Sequence, residues 1–313
     1  MNGLTQMSAE AATCCSLWRS VVRVLWTGVL IMALSACSSP RTSPPQNETA
    51  AGLAHLSNRA HAMERSAAQA YAQGDLSNAA AQFQALALRY TALAQTGPEA
   101  MAWLNWARVQ AELGQPALAI AAVRRVLTLE SLPASVQMLA HGRLAALLMT
   151  SDPSAAALQL AQAEALCQNC TEQSALRTLR ARLDVQQGDA SAARQTAALA
   201  MQSAVSSADL ANALRVSAQA DLLVAPSPGT LATAIENAQK ALALDQGMDA
   251  ASKVHADLDL LVRLHQANGD SANAKRYAAL LRHAQEAQTT IRAPLGAQEL
   301  KPRPMANPGT ASP

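Results

Sequence analysis

The chain has 313 residues and a formal charge of +2 at pH 7; half of its residues are hydrophobic and only 3% are aromatic. A balance this close to neutral gives no electrostatic footing for nucleic acid or for anionic lipid surfaces in general. Few β-branched or aromatic side chains among abundant alanine favour helices over strands, and small side chains let short helices approach closely. The length allows a large core or an extended repeat array, and the expected fold is all-α.

In chain order, the first element is Arg19-Ser20-Val21-Val22-Arg23, which carries two positive charges and no acid, followed by the uncharged apolar run from Val24 to Ala33. That run is too short for a permanent membrane helix, and with the small residues after it describes a secretory signal. The ending Leu34-Ser35-Ala36-Cys37 resembles the lipobox of bacterial lipoproteins. The resemblance implies that residues 1–36 are a signal peptide and that Cys37 becomes the acylated, palmitate-bearing N-terminus and membrane anchor. Ser38 and Ser39 then imply the outer membrane, facing the periplasm, because the family's sorting rule reserves inner-membrane retention for Asp after the cysteine. Residues 37–52 read as the lipidated cysteine and a flexible tether rich in Ser, Pro and polar side chains.

Residues 53–290 repeat themselves. Gly74-Asp75 leads after five residues to Ala79 and then to Phe83; Gly114-Gln115 leads to Ala119, Val123 and Val126. Gly188-Asp189 leads to Ala193, Ala197 and Ala200, Gly229 to Ala234, Ala238 and Ala241, and Gly269-Asp270 to Ala274 and Ala278. A degenerate copy, Ser151-Asp152-Pro153, precedes Ala156. The spacing is roughly 39 residues, in the range of helical repeats. Gly ends one helix in the left-handed conformation, and the alanines after it share one face of the next helix. About six helix–turn–helix units, none able to bury its apolar face alone, would stack into an α-α superhelix.

With Gly114 as the turn glycine, Trp103, Ala107, Ala119, Val123 and Val126 fall on signature positions, and the pattern resembles the tetratricopeptide repeat. The chain departs from that family in its longer units, in the missing closing prolines, and in Trp106 and Gln110 at the usual Leu or Tyr sites. The extra residues fall in connections such as Ser131-Leu132-Pro133 and Ala225-Pro226-Ser227-Pro228. Residues 291–313, broken by prolines and poor in apolar side chains, read as a disordered tail.

An arginine recurs in the helix before each turn: Arg108, Arg143, Arg182, Arg215 and Arg263. The resemblance places this position on a concave groove where extended peptides dock, so the five would form a ladder for carboxylates or backbone carbonyls. The competing reading is structural. Arg108 can reach Glu112 and Arg263 can reach Asp259 at helical spacing, while Arg143, Arg182 and Arg215 lack such an acid and are open to a partner or a neighbouring helix. Trp103 belongs in the core, and Trp106 is a candidate groove anchor.

The sequence has no Gly-Lys phosphate loop, no His-Glu-x-x-His and no Gly-x-Ser-x-Gly, and its six histidines include no pair at i, i+3 or i, i+4. No catalytic residue, metal or cofactor is expected. Cys167-Gln168-Asn169-Cys170 could be a redox pair, half a metal site or a local disulfide. Thr171 excludes haem attachment, there is no second pair to complete a zinc site, and a thioredoxin-type centre needs a βαβ setting. With Cys14 and Cys15 in the signal and Cys37 acylated, a short-loop disulfide in an oxidising compartment is expected. The whole reads as an outer-membrane lipoprotein scaffold that binds an envelope protein as an extended segment, similar in layout to pilotins of pilus secretins or to adaptors of cell-wall enzymes. The alternatives are a structural spacer without a client and a Cys-x-x-Cys redox protein.

Overall fold

The computed structural model describes residues 46–223 and 227–292, with side chains for residues 58–223 and 227–289. The chain divides into two compact units, Met1–Ala50 and Ala51–Pro313, and the second carries the helical stack that follows. Among the described residues there are twelve helices and no strand. They are α1 Gln46–Ala72, α2 Leu76–Ala92, α3 Thr96–Glu112, α4 Pro116–Leu127, α5 Ala134–Leu148, α6 Pro153–Leu166, α7 Gln173–Gln186, α8 Ala190–Gln202, α9 Ser207–Leu223, α10 Pro228–Gly247, α11 Ala251–Ala267 and α12 Ser271–Arg292. The expected signal, Cys37 and the chain beyond Arg292 lie outside the described residues. α1 starts at Gln46, within the stretch read as tether.

Consecutive helices pack on one another, and each odd helix from α3 to α11 also touches the next odd helix. The chain is therefore an all-α, solenoid-type stack of helix pairs. Gly-Asp marks the turns within pairs because the two residues divide the work. Gly74, Gly188 and Gly269 adopt positive φ, and the Asp75, Asp189 and Asp270 carboxylates each accept the N–H of the residue three positions on. Gly74 N–H donates to the Tyr71 carbonyl and Asp75 N–H to that of Ala70, which satisfies the last carbonyls of α1.

The same turn recurs between pairs without glycine. Ala94 (φ 51°) and Asp249 (φ 54°) stand at the left-handed position and make the matching hydrogen bonds to Thr91 and Gln246. Gly229 corrects the sequence reading: it is the second residue of α10, after the Ser227 cap and Pro228, and its φ is not positive. The Ser227 hydroxyl accepts the Thr230 N–H, and Pro228 needs no donor at the first helical position. Gly142 has a different role, since a Cβ there would lie 3.2 Å from Leu176 Cδ2, so its absence lets α5 approach α7.

The alanines five residues past each turn signal, Ala79, Ala119, Ala156, Ala193, Ala234 and Ala274, are all buried. Ala197, Ala200, Ala238 and Ala241 continue the stripe at full burial, whereas Ala278 on α12 is exposed. Larger side chains fill the interior around α3 to α6, where Trp103, Leu104, Val123, Val126, Leu144 and Leu148 form one cluster.

Candidate binding face of the odd-numbered helices

The side-to-side contact of α3, α5, α7, α9 and α11 creates one continuous face, and two adjoining cavities open on it. The first, of about 510 Å³, lies across α3, α5 and α7; the second, of about 400 Å³, lies across α7, α9 and α11. Ala175, Leu179 and Lys253 belong to the walls of both.

Leu139, Leu147, Leu176 and Leu179 give the first cavity an apolar floor, and Arg108, Arg143, Glu112 and Glu172 stand around it. Arg108 Nε lies 3.6 Å from Glu112 Oε1, and its guanidinium sits 4.4 Å above the Tyr71 ring. Tyr71 donates its hydroxyl proton to Glu112. Burial, and next that hydrogen bond, push the Tyr71 phenol up to about 12. Arg143 Nη1 donates to the Leu104 carbonyl at 3.4 Å; burial and then repulsion from Arg108 hold this guanidinium below its ordinary value.

The expected ladder is only partly formed. Arg108, Arg143 and Arg182 line the face. Arg215 reaches the wall of the second cavity but is itself buried (6% exposed) and committed inward. Its Nε donates to Asp257 Oδ1 at 2.6 Å, Nη2 to Asp257 Oδ2 at 3.2 Å and to Asp245, and Nη1 to Asn212 at 2.8 Å. Asp245 and Asp257 are likewise buried, so one guanidinium ties α9 to α10 and α11 against two carboxylates. Desolvation is the main cause that pushes the Asp257 carboxyl up to about 6, with Arg215 opposing it and the neighbouring Asp245 adding to it. Arg263 is exposed on α11, lines neither cavity and makes no ion pair with Asp259.

Trp106 is not an open groove anchor. It is half-buried, edge-on to Trp103 with ring centroids 5.6 Å apart, and it touches two apolar clusters while lining neither cavity. Trp103 is in the core, where its Nε1 donates to the buried Glu99 at 3.3 Å and Arg125 stands 4.8 Å over the ring. Lys253, the cation shared by both cavities, escaped the sequence reading because it sits nearly three turns before Arg263 on the same helix.

Cys167 and Cys170 stand at disulfide distance, with Cα atoms 5.2 Å apart, in the connection between α6 and α7. Both pack against the cluster of Met138, Leu160 and Leu176. Arg180 adds a two-pronged hydrogen bond to Glu164 at 2.7 and 3.2 Å across the same junction. Among the described residues no group of three His, Cys, Asp or Glu side chains is placed to hold a metal ion, and no helix is long and apolar enough to cross a membrane.

No protein-family model matches the chain, and no curated protein does. Among solved structures, BtubC (BKLC) from P. vanneervenii is similar, with a TM-score of 0.50 at 17% identity, over 80% of this chain and 99% of that one. At that identity the likeness is one of fold, a helical repeat protein.

Proposed function

We propose that this chain is a lipid-anchored, periplasm-facing interaction scaffold of tetratricopeptide type, without enzymatic activity, that holds an extended segment of an envelope protein along the odd-helix face. The observation that carries this reading is the pair of adjoining cavities, with leucines on the floor and Arg108, Arg143, Arg182 and Lys253 on the walls. An extended segment presents side chains alternately to opposite sides, so one with apolar residues interleaved with acids fits such a surface. The anchor is assigned to Cys37 and the outer membrane. The role is that of an assembly factor or adaptor, in the manner of secretin pilotins or of partners of cell-wall enzymes.

A photo-reactive amino acid placed in cells at Ala146 or Ala175, both on the cavity walls, tests this reading against the same probe at Leu158, exposed on α6. One envelope protein should crosslink at both wall positions and not at Leu158, and joint replacement of Arg108 and Arg143 by Gln should weaken the adduct. Equal adducts at Leu158, or none on the walls, would leave a spacer without a client. Mass spectrometry of the mature N-terminus checks the acyl chains on Cys37.

A further inference from the structure

The second cavity holds polar groups that the packing does not use. Three consecutive odd helices contribute to it: Thr178 and Arg182 from α7, Asn212 and Arg215 from α9, and Lys253 from α11. Thr178 is 6% exposed, and its Oγ1 is buried with no hydrogen-bond partner. A buried hydroxyl left unpaired is costly, and a polar group entering the cavity would offset that cost. Arg182 and Lys253 make no ion pair among the described residues, yet they crowd Arg215 and each other. Burial and then Arg215 hold the Arg182 guanidinium below its ordinary value, and burial, Arg215 and Arg182 do the same to the Lys253 ammonium against the opposing pull of Asp245 and Asp257. Arg215 itself keeps one Nη1 hydrogen unspoken for after its bonds to Asp245, Asp257 and Asn212. The acid on the wall, Asp209, is occupied in capping α9: it accepts the Ser206 hydroxyl at 2.7 Å, and its own N–H donates to that oxygen.

We infer that this cavity is a binding site for a phosphoryl group, held by Arg182, Lys253 and Thr178 with Arg215 at its floor. Arg182 and Lys253 together outweigh the one excess negative charge of the Arg215–Asp245–Asp257 group, and the net positive cavity favours the charge of roughly −1.5 to −2 that a phosphate monoester carries at neutral pH. Donors arriving from separate helices suit the three acceptor oxygens of a tetrahedral group better than a planar carboxylate, for which a single arginine fork suffices. The volume of about 400 Å³ leaves room for the small molecule or peptide side chain that bears the group. Thr178 lines the cavity, and the second χ1 rotamer open to a helical threonine gives its buried hydroxyl a way to turn toward the group. This site gives Arg182 and Lys253, two of the cations on the scaffold's walls, a phosphoryl group in place of a carboxylate, and it stands whether or not a protein segment fills the neighbouring cavity.

Titration of the full chain in non-ionic detergent with inorganic phosphate, followed by calorimetry and ³¹P NMR against chloride and acetate at matched ionic strength, tests the assignment. Phosphate should bind one to one, and Arg182→Gln and Lys253→Gln should each weaken it about tenfold. Both residues keep part of their surface in solvent and make no ion pair among the described residues, so the variants should melt as the parent does. Thr178→Val should weaken phosphate by about fivefold while melting at or above the parent temperature, because it removes an unpaired hydroxyl. Phosphoserine peptide and glycerol phosphate, run in parallel, identify the carrier by whichever binds tighter. Absence of phosphate binding, an equal response to acetate, or unaltered affinity in the Gln variants would overturn the site. Any of these outcomes with the Ala146 and Ala175 crosslinks intact would leave the scaffold reading standing.

Discussion

From α3 to α6 the interior is mainly hydrocarbon, with Trp103, Leu104, Val123, Val126, Leu144 and Leu148 filling the space between helices, and its buried acid, Glu99, is met by Trp103 Nε1 and by Arg125. Between α9 and α10 alanines supply most of the contact, and the centre is held by Arg215, Asp245 and Asp257. The two regions solve one packing problem with different forces. Large side chains exclude water without directional demands, whereas alanines bring backbones close and leave register to be set by something else. One guanidinium that must meet Asp245 on α10 and Asp257 on α11 fixes how α9 lies against both. It does so at an electrostatic cost, since two buried carboxylates face one cation.

Removal of the cation should give the largest effect. Arg215→Ala strands Asp245 and Asp257 and should cost about 3–5 kcal/mol at pH 7.5. Leu144→Ala, in the hydrocarbon region, should cost a similar 2–5 kcal/mol or so. Denaturant unfolding at pH 7.5 and again at pH 4.5 separates the two. The Arg215→Ala penalty should shrink in acid, where the stranded carboxyls take up protons, and the Leu144→Ala penalty should stay constant. Equal pH behaviour would erase the distinction between the regions.

The charged centre also predicts a pH dependence in the wild type. The Asp257 carboxyl is pushed up to about 6 in the folded chain from an ordinary value near 3.8. The folded state therefore binds more protons than the unfolded state between those values, and this group's contribution to stability falls as pH rises through that window. The loss should be about 3 kcal/mol. Asp257→Asn imitates the protonated form, so it should match the wild type near pH 4, exceed it at pH 8 and remove the slope between. A variant less stable than wild type at pH 8 would mean that Arg215 needs both charges.

The seam between the regions is the connection from α6 to α7, closed by Cys167 and Cys170 and by the Arg180–Glu164 fork. Replacing both cysteines by Ser should cost about 2 kcal/mol, small because the loop is short. Amide exchange should accelerate first at the end of α6. Exchange rising uniformly along the chain would show that the two regions unfold as one.

What the sequence disclosed follows from which interactions are local. Gly74, Gly114, Gly188 and Gly269 mark turns because the left-handed position taxes every other residue, and the alanine five residues on is buried each time. Gly229 misled because a glycine after Ser-Pro looks the same whether it ends one helix or starts the next. The signal that separates the cases was Ser227-Pro228 itself, a cap followed by a proline at the first helical position. Arg215 looked free because its acids are 30 and 42 residues away. Their placement was nonetheless a clue: Asp245 follows Ala238 and Ala241 on the buried stripe of α10, and Asp257 precedes Leu261 and Leu264 at the same spacing on α11. An acid at a core position demands a cation, and only folding shows which one supplies it.

The smallest effects sit in the turns that glycine does not mark, and they pair the two regions directly. Ala94, ahead of the hydrocarbon region, and Asp249, inside the charged one, hold the same left-handed position at φ 51° and 54°. Alanine has no way to offset the clash of its Cβ with the carbonyl, while aspartate tolerates the conformation better through its short polar side chain. Ala94→Gly should therefore raise stability by about 1 kcal/mol, set against the extra entropy glycine brings to the unfolded chain. Asp249→Gly should gain less, about half of that or nothing. Thermal melts of the two single variants and the double decide the matter. The residues lie in separate turns, so their effects should add within about 0.5 kcal/mol. A larger gain at Asp249 than at Ala94 would mean that its carboxylate, placed four residues past Asp245, burdens the buried acid pair, and the penalty of that pair would then extend into the turn beside it.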